Sequence, residues 1–215
     1  MKIYLATNNK HKKYEMIRIL APHSVVIPSD EGIDCNPDET GTTFYENSLI
    51  KARALYEIVH CPVIADDSGI CVDALNGRPG IYSSRYTGTA TPNGKTLSQE
   101  AKNALLRAEL NDALSRGVDA SHFLHGERSA HYTCAMVLYL GSDRLFIVEE
   151  TLEGVIVHTI DQARGEHGFG YDPIFFVPAL NKTVAELSDS EKNAISHRGK
   201  AGRAMQHIIL NGALE

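Results

Sequence analysis

The chain has 215 residues, of which 43% are apolar and 22% charged. That balance fits a folded globular protein with its own core and argues against a disordered or fibrous chain. Acidic residues outnumber basic ones 27 to 21, a net charge of −6 with no basic tract to set against it, so a nucleic-acid coat or a protein docked on anionic membrane is disfavoured. A small anionic ligand stays possible, because a pocket needs only a few local cations. The longest apolar runs, such as Cys134 to Leu140, are too short to span a bilayer, and the first residues show no secretory h-region. Cys35, Cys61, Cys71 and Cys134 form no CxxC pair, so reduced thiols in a cytoplasmic protein are expected rather than disulfides or zinc.

In chain order, Ile3-Tyr4-Leu5-Ala6 predicts a short strand, followed by a helix over 12–20 with Met16, Ile17 and Leu20 on one face. Residues 25–27 predict a second strand. Thr43 and Glu46 form a capping box that starts a helix reaching about residue 60, with Ile50, Ala54, Ile58 and Val59 inward. Residues 62–65 predict a buried strand, 76–91 an irregular stretch, and 96–116 a helix. Residues 131–140 and 144–157 read as antiparallel strands about a Gly141-Ser142-Asp143 turn. A glycine-bearing loop, a strand over 174–177 and a helical region over 188–210 complete the chain. Alternating strands and helices early, with antiparallel strands in the middle, predict one α/β domain over 1–215 with a mixed central sheet.

Several segments could carry chemistry. Thr7-Asn8-Asn9-Lys10-His11-Lys12 lies between a strand end and a helix start, where free N–H groups and lysines could hold phosphate, or could form a solvated turn. It lacks the glycines of a Walker loop. Asp66-Asp67-Ser68-Gly69 places two carboxylates at the carboxyl end of the 62–65 strand. They could hold Mg²⁺ and activate water, or belong to an ordinary turn. Asp38 and Glu39, just before the capped helix, could add another carboxylate or form an ordinary acidic loop. Asn47 and Lys51 share a helix face that could look into a cleft or into water. Phe169-Gly170-Tyr171-Asp172 offers rings to stack on a base and a carboxylate to read its N–H groups, or core filler around a turn. Lys192, His197 and Arg198 could donate to ligand carbonyls or serve a helix terminus.

Taken together these segments resemble the inosine triphosphate pyrophosphatase family. The resemblance runs through 7–12, 39–47 with Lys51-Ala52, and 65–69, then 72–75, 79–83 and Arg85-Tyr86. It ends with 169–175 and 195–198. It implies a two-lobed mixed α/β fold around a long substrate cleft, in a homodimer. The implied reaction is Mg²⁺-dependent cleavage of ITP, dITP or XTP to monophosphate and pyrophosphate. Carried over by position, Asp67 resembles the general base and a metal ligand, with Glu39 as a second ligand. The 7–12 loop (Thr7, Asn8, Asn9, Lys10, His11, Lys12), Lys51 and Ser68 would meet the substrate. Phe169 would stack on the purine, with Gly170, Tyr171, Asp172, Lys192, His197 and Arg198 about the base.

Two departures stand out. Asn8 replaces a usual glycine, a position where asparagine's tolerance of left-handed backbone would preserve the loop. Residues 89–128 match poorly and look long. A pyrimidine-selective pyrophosphatase and a nucleotide sensor without turnover are the competing readings. The segments 169–172 and 197–198 argue against the first, and Glu39, Asp66 and Asp67 against the second.

Overall fold

The computed structural model describes residues 2–88, 97–142 and 144–214. The expected helix start at Thr96 and Asp143 of the expected turn lie outside them. The elements are β1 (Lys2–Leu5), α1 (Lys10–Ile19), β2 (Ser24–Val26), α2 (Phe44–Val59), β3 (Val63–Val72), α3 (Gln99–Ser115), β4 (Ser129–Tyr139), β5 (Leu145–Ile156), β6 (Phe175–Val177), β7 (Lys182–Thr183), α4 (Asp189–Ile195) and α5 (His197–Ile208). The described strands form one sheet in the order β2-β1-β3-β4-β5-β6-β7. β1 pairs parallel with β2 and β3, while β5–β6 and β6–β7 are antiparallel. The expected mixed α/β sheet is what the chain forms. Its residues divide into two compact units: Met1–Ser68 with Thr133–Thr151 and Asn193–Glu215, and Gly69–Tyr132 with Leu152–Lys192.

In the first unit the strands are covered on both faces, which is why they read as near-continuous apolar runs. Alternate residues point to opposite faces. Ile3, Leu5, Ile64, Met136 and Leu138 pack with Met16 and Leu20 of α1 and Ala201 and Met205 of α5. Tyr4, Ala6, Val63, Ala65, Val137 and Tyr139 pack with Ala52 and Leu55 of α2. A side chain at Gly202 would meet Ile19 Cγ2 at 2.8 Å, so its absence lets α5 close on α1. In the second unit Leu106, Leu110 and Ala113 of α3 are buried, and the Tyr132 and Phe175 rings pack at 4.7 Å.

Four expectations need correction. The strand over 62–65 continues to Val72, so Asp66, Asp67 and Ser68 lie inside β3, not at its carboxyl end. The two aspartates are buried and charge-paired there, which lets a strand carry them. α1 starts two residues early, because Asn9 caps it by accepting from the His11 and Lys12 N–H groups. Ile17 and Ile58 are exposed, and α2 instead turns Asn47, Ser48, Ala52 and Leu55 inward. The Ser48 hydroxyl lies 2.9 Å from Ala65 O and 3.1 Å from Ala135 O, so a small polar residue faces the sheet without stranding a donor. The last helical region is two helices, broken at Ser196, whose hydroxyl caps α5 by accepting from Gly199 N–H at 3.0 Å. The capping box is as expected: Thr43 Oγ1 accepts from Glu46 N–H at 3.1 Å and Glu46 accepts from Thr43 N–H at 3.2 Å.

Candidate functional site

The first unit holds a chain of charged side chains around β3. α2 presents Asn47 and Lys51 one turn apart, and both reach Asp67. Asn47 Nδ2 donates to Asp67 Oδ2 at 3.3 Å, and Lys51 Nζ donates to Oδ1 at 3.0 Å. Lys51 Nζ also lies 3.2 Å from Glu39 Oε1, so one ammonium joins the two carboxylates expected to bind metal. The Asn47 carbonyl accepts from Gly41 N–H at 2.9 Å and thereby holds the loop just after Glu39. Burial pulls the Lys51 pKa down, but Asp67, Asp66 and Glu39 outweigh it and leave the group firmly cationic.

Asp66 points the other way from Asp67 and is 1% exposed. Its Oδ2 accepts from Lys12 Nζ at 2.8 Å and Arg198 Nε at 3.2 Å. Burial alone would raise this carboxyl, but Lys12, Arg198 and Lys51 hold it well below the usual carboxylate range. Arg198 is buried as well. Its Nη1 donates to Glu15 Oε2 at 2.8 Å and its Nη2 to Ser68 Oγ at 2.7 Å. Cys134 Sγ lies 3.9 Å from Asp66 Oδ2, and burial beside that charge pushes the thiol pKa upward.

The 7–12 loop is ordered by its own side chains. Thr7 Oγ1 accepts from Asn9 N–H at 3.1 Å, and Asn9 Oδ1 accepts from His11 N–H at 2.9 Å. These contacts use oxygens, which leaves the Thr7 hydroxyl proton and the Asn9 amide protons to donate outward. Asn8, Lys10 and His11 are exposed. Asn8 does not take the left-handed backbone its substitution for glycine suggested: the positive-φ non-glycine residues described are His60, Asn76, Ser142 and Asn181.

The second unit holds a separate constellation. Asp172, 4% exposed, accepts from Phe169 N–H and Lys192 Nζ at 2.9 Å through Oδ2, and from the Tyr132 hydroxyl at 3.1 Å through Oδ1. Its oxygens thus hold the loop and the lysine together. Lys192 Nζ sits 4.5 Å from the Phe169 ring centroid, a cation–π distance. Asn103 Nδ2 donates to Gly170 O at 3.3 Å. Tyr171 is core: its hydroxyl donates to Ser83 O at 2.9 Å, and burial raises its pKa. A cavity of about 710 Å³ in this unit, lined by Arg128, His158, Arg164 and Phe176 among others, includes none of the candidate residues.

Among the described residues no cluster of three or more His, Cys, Asp or Glu side chains could hold a metal. Glu39 and Asp67, two hard oxygen donors on one lysine, fit a cation such as Mg²⁺ that keeps waters and is completed by phosphate. Sequence reasoning missed Glu15 and Tyr132 as supports of this chemistry, whereas it did place Asn47 on one helix face with Lys51. Glu15 shares a face of α1 with Lys12, a visible signal, but Tyr132 lies 40 positions from Asp172 and nothing local announces the pair. No helix of the described residues is long and apolar enough to cross a membrane.

The chain is 49% identical over 209 residues to the dITP/XTP pyrophosphatase of Treponema denticola, covering 97% of this chain and 98% of that one. The Staphylococcus aureus Ham1 protein superposes with TM-score 0.80 at 36% identity, covering 98% of this chain and 99% of that one. A HAM1 protein from Coxiella burnetii gives TM-score 0.81 at 33% identity, covering 99% and 100%. The Ham1 family model matches residues 3–208, and the chain belongs to the Ham1 family.

Proposed function

We propose that this protein hydrolyses non-standard purine nucleoside triphosphates (ITP, dITP and XTP) to the monophosphate and pyrophosphate, clearing them from the nucleotide pool. Relatives named dITP/XTP pyrophosphatase that align over nearly their whole length support the reaction class. The observation that carries the chemistry is Asp67, a carboxylate held on one oxygen by Asn47 and on the other by Lys51.

In this reading Lys12, Lys51, the Thr7 hydroxyl and the Asn9 amide hold the triphosphate, beside the free N–H groups of the first turn of α1. Asn8 precedes that turn, and Lys10 and His11 lie within it. Ser68 Oγ accepts from Arg198, so its proton can be given to a phosphate oxygen. Asp67 takes a proton from water as the water oxygen bonds to phosphorus. The α–β anhydride bond breaks, and pyrophosphate leaves with its electron pair. Mg²⁺ held by Glu39 and Asp67 would offset charge on the phosphates.

Phe169 would stack on the purine, with Gly170 and Tyr171 shaping its loop and Asp172 fixing Lys192. The family resemblance assigns Lys192, His197 and Arg198 as donors for the 6-carbonyl of inosine or xanthine. The amino group of adenine in its place would be a buried donor facing donors, a costly mismatch. The family resemblance supports a homodimer, and the thiol pattern a cytoplasmic location. Incubating the pure protein with Mg²⁺ and a panel of triphosphates, with pyrophosphate and orthophosphate assayed separately, tests the proposal. Pyrophosphate from ITP, dITP and XTP is expected. Orthophosphate release, or a preference for ATP or pyrimidines, overturns it.

A further inference from the structure

Two cations that the proposed function gives to the substrate converge on one carboxylate that no substrate can touch. Lys12 and Arg198 come from helices 186 positions apart in the sequence, by the difference of their numbers, and both donate to Asp66 Oδ2. The Asp66 side chain has no accessible surface, whereas the Lys12 side chain keeps 14%. Asp66 Oδ1 is buried and has no hydrogen-bond partner among the described residues. A carboxylate so enclosed is poorly placed to reach a water or an entering phosphate directly.

We propose that Asp66 is a positioning residue: a buried counter-charge that fixes the Lys12 ammonium and the Arg198 guanidinium before the triphosphate arrives, and acts on the reaction only through them. The inference rests on the reading of Lys12 as a triphosphate ligand.

The argument is one of freedom and geometry. A lysine ammonium rides on a flexible four-carbon stem, and ordering that stem when substrate binds opposes affinity. Anchored on an oxygen of the central strand, the ammonium is already ordered and has further protons to give. The same oxygen orients the Arg198 fork, whose Nη2 then fixes Ser68 Oγ next in sequence to Asp67. An apolar residue at this place in β3 would spare the buried oxygen that lacks a donor, yet it would take the carboxylate from Lys12 and leave the buried Arg198 to its pairing with Glu15. The carboxylate is therefore explained by what it holds.

The test is a double-mutant cycle with dITP and Mg²⁺, using the native protein, D66N, K12M and D66N/K12M, each checked by thermal melting. D66N should raise KM about tenfold with kcat within about threefold, K12M should raise KM by a similar factor, and the double variant should fall well short of the product of the two, the part of the D66N effect that remains being its hold on Arg198. A merely structural role would lower the active fraction and hence apparent kcat, leaving KM unmoved. Multiplying effects in the double variant, or a D66N that loses kcat at native KM, overturn the proposal. A raised KM in K12M with a native KM in D66N overturns the anchor alone. A native KM in K12M overturns the phosphate reading of Lys12 and the anchor with it. If D66N does not fold, the same cycle is run in an R198M background, where Asp66 acts through Lys12 alone: the double variant should then lie within about twofold of K12M, and multiplying effects there overturn the anchor.

Discussion

Lys51 Nζ lies 3.0 Å from Asp67 Oδ1, and the helix that delivers the lysine delivers Asn47 one turn earlier to the other oxygen. A single helix face therefore sets the direction of this carboxylate, while the same ammonium reaches Glu39 at 3.2 Å. That arrangement keeps two acids close without mutual repulsion, and it makes the chemistry of the pair open to direct tests.

Asp67→Asn keeps an acceptor for Lys51 and removes the capacity to take a proton. We expect kcat to fall about 10²- to 10⁴-fold, with dITP still binding by calorimetry. Turnover within tenfold of the native rate would show that the proton goes elsewhere.

Stripping divalent cations with a chelator should abolish pyrophosphate release, and Mg²⁺ should restore it. Glu39→Gln weakens the proposed donor set without touching Asp67, so the Mg²⁺ concentration for half-maximal rate should rise about tenfold, a difference of roughly 1.4 kcal/mol. An unchanged Mg²⁺ requirement in that variant would remove Glu39 from the metal site.

Gly168 has φ +76°, and a Cβ there would stand 2.2 Å from Asp172 Oδ2 and 3.3 Å from Lys192 Nζ. Gly168→Ala should cost about 1–3 kcal/mol in denaturant titrations, because strain and displacement of a buried carboxylate coincide. It should also raise KM for ITP as the Asp172–Lys192–Phe169 cluster shifts. Native stability with native KM would mean the loop moves without cost.

The depressed Asp66 carboxyl has a consequence for stability. Its folded pKa lies below its unfolded one, so its contribution is fully present above the ordinary carboxylate range and declines as pH falls through that range. In that window the unfolded chain binds the extra proton, so stability rises with pH. Asp66→Asn should therefore show a shallower slope of unfolding free energy between about pH 5 and pH 2 than the native protein. Parallel slopes in urea titrations across that window would contradict the ion-pair account.

Much of the architecture is legible in the order of residues alone. The Thr43–Glu46 capping box is a local device, built from four neighbouring residues, and it stands where expected. The strand and helix that open the chain are readable as well, since polar residues interrupt an apolar run at one place, although α1 begins at Lys10 and not at residue 12. The inward face of α2 is not. Ser48 is buried because carbonyls of Ala65 and Ala135 receive its hydroxyl, and those partners lie 17 and 87 positions away. Periodicity counts apolar residues, so a helix that buries Asn47 and Ser48 misleads it.

The sequence by itself determined the family and the α/β class, because these depend on short motifs in a set order. Only the tertiary structure decided what each charge does. Asp66 and Asp67 are neighbours in the chain, and they part because successive side chains of a strand point to opposite faces. One meets Lys12 and Arg198 in a closed interior, and the other meets Asn47 and Lys51 beside Glu39. Adjacent aspartates that look interchangeable in sequence are set apart by the pleat of β3, since Coulomb attraction acts on distance in space and not on separation along the chain.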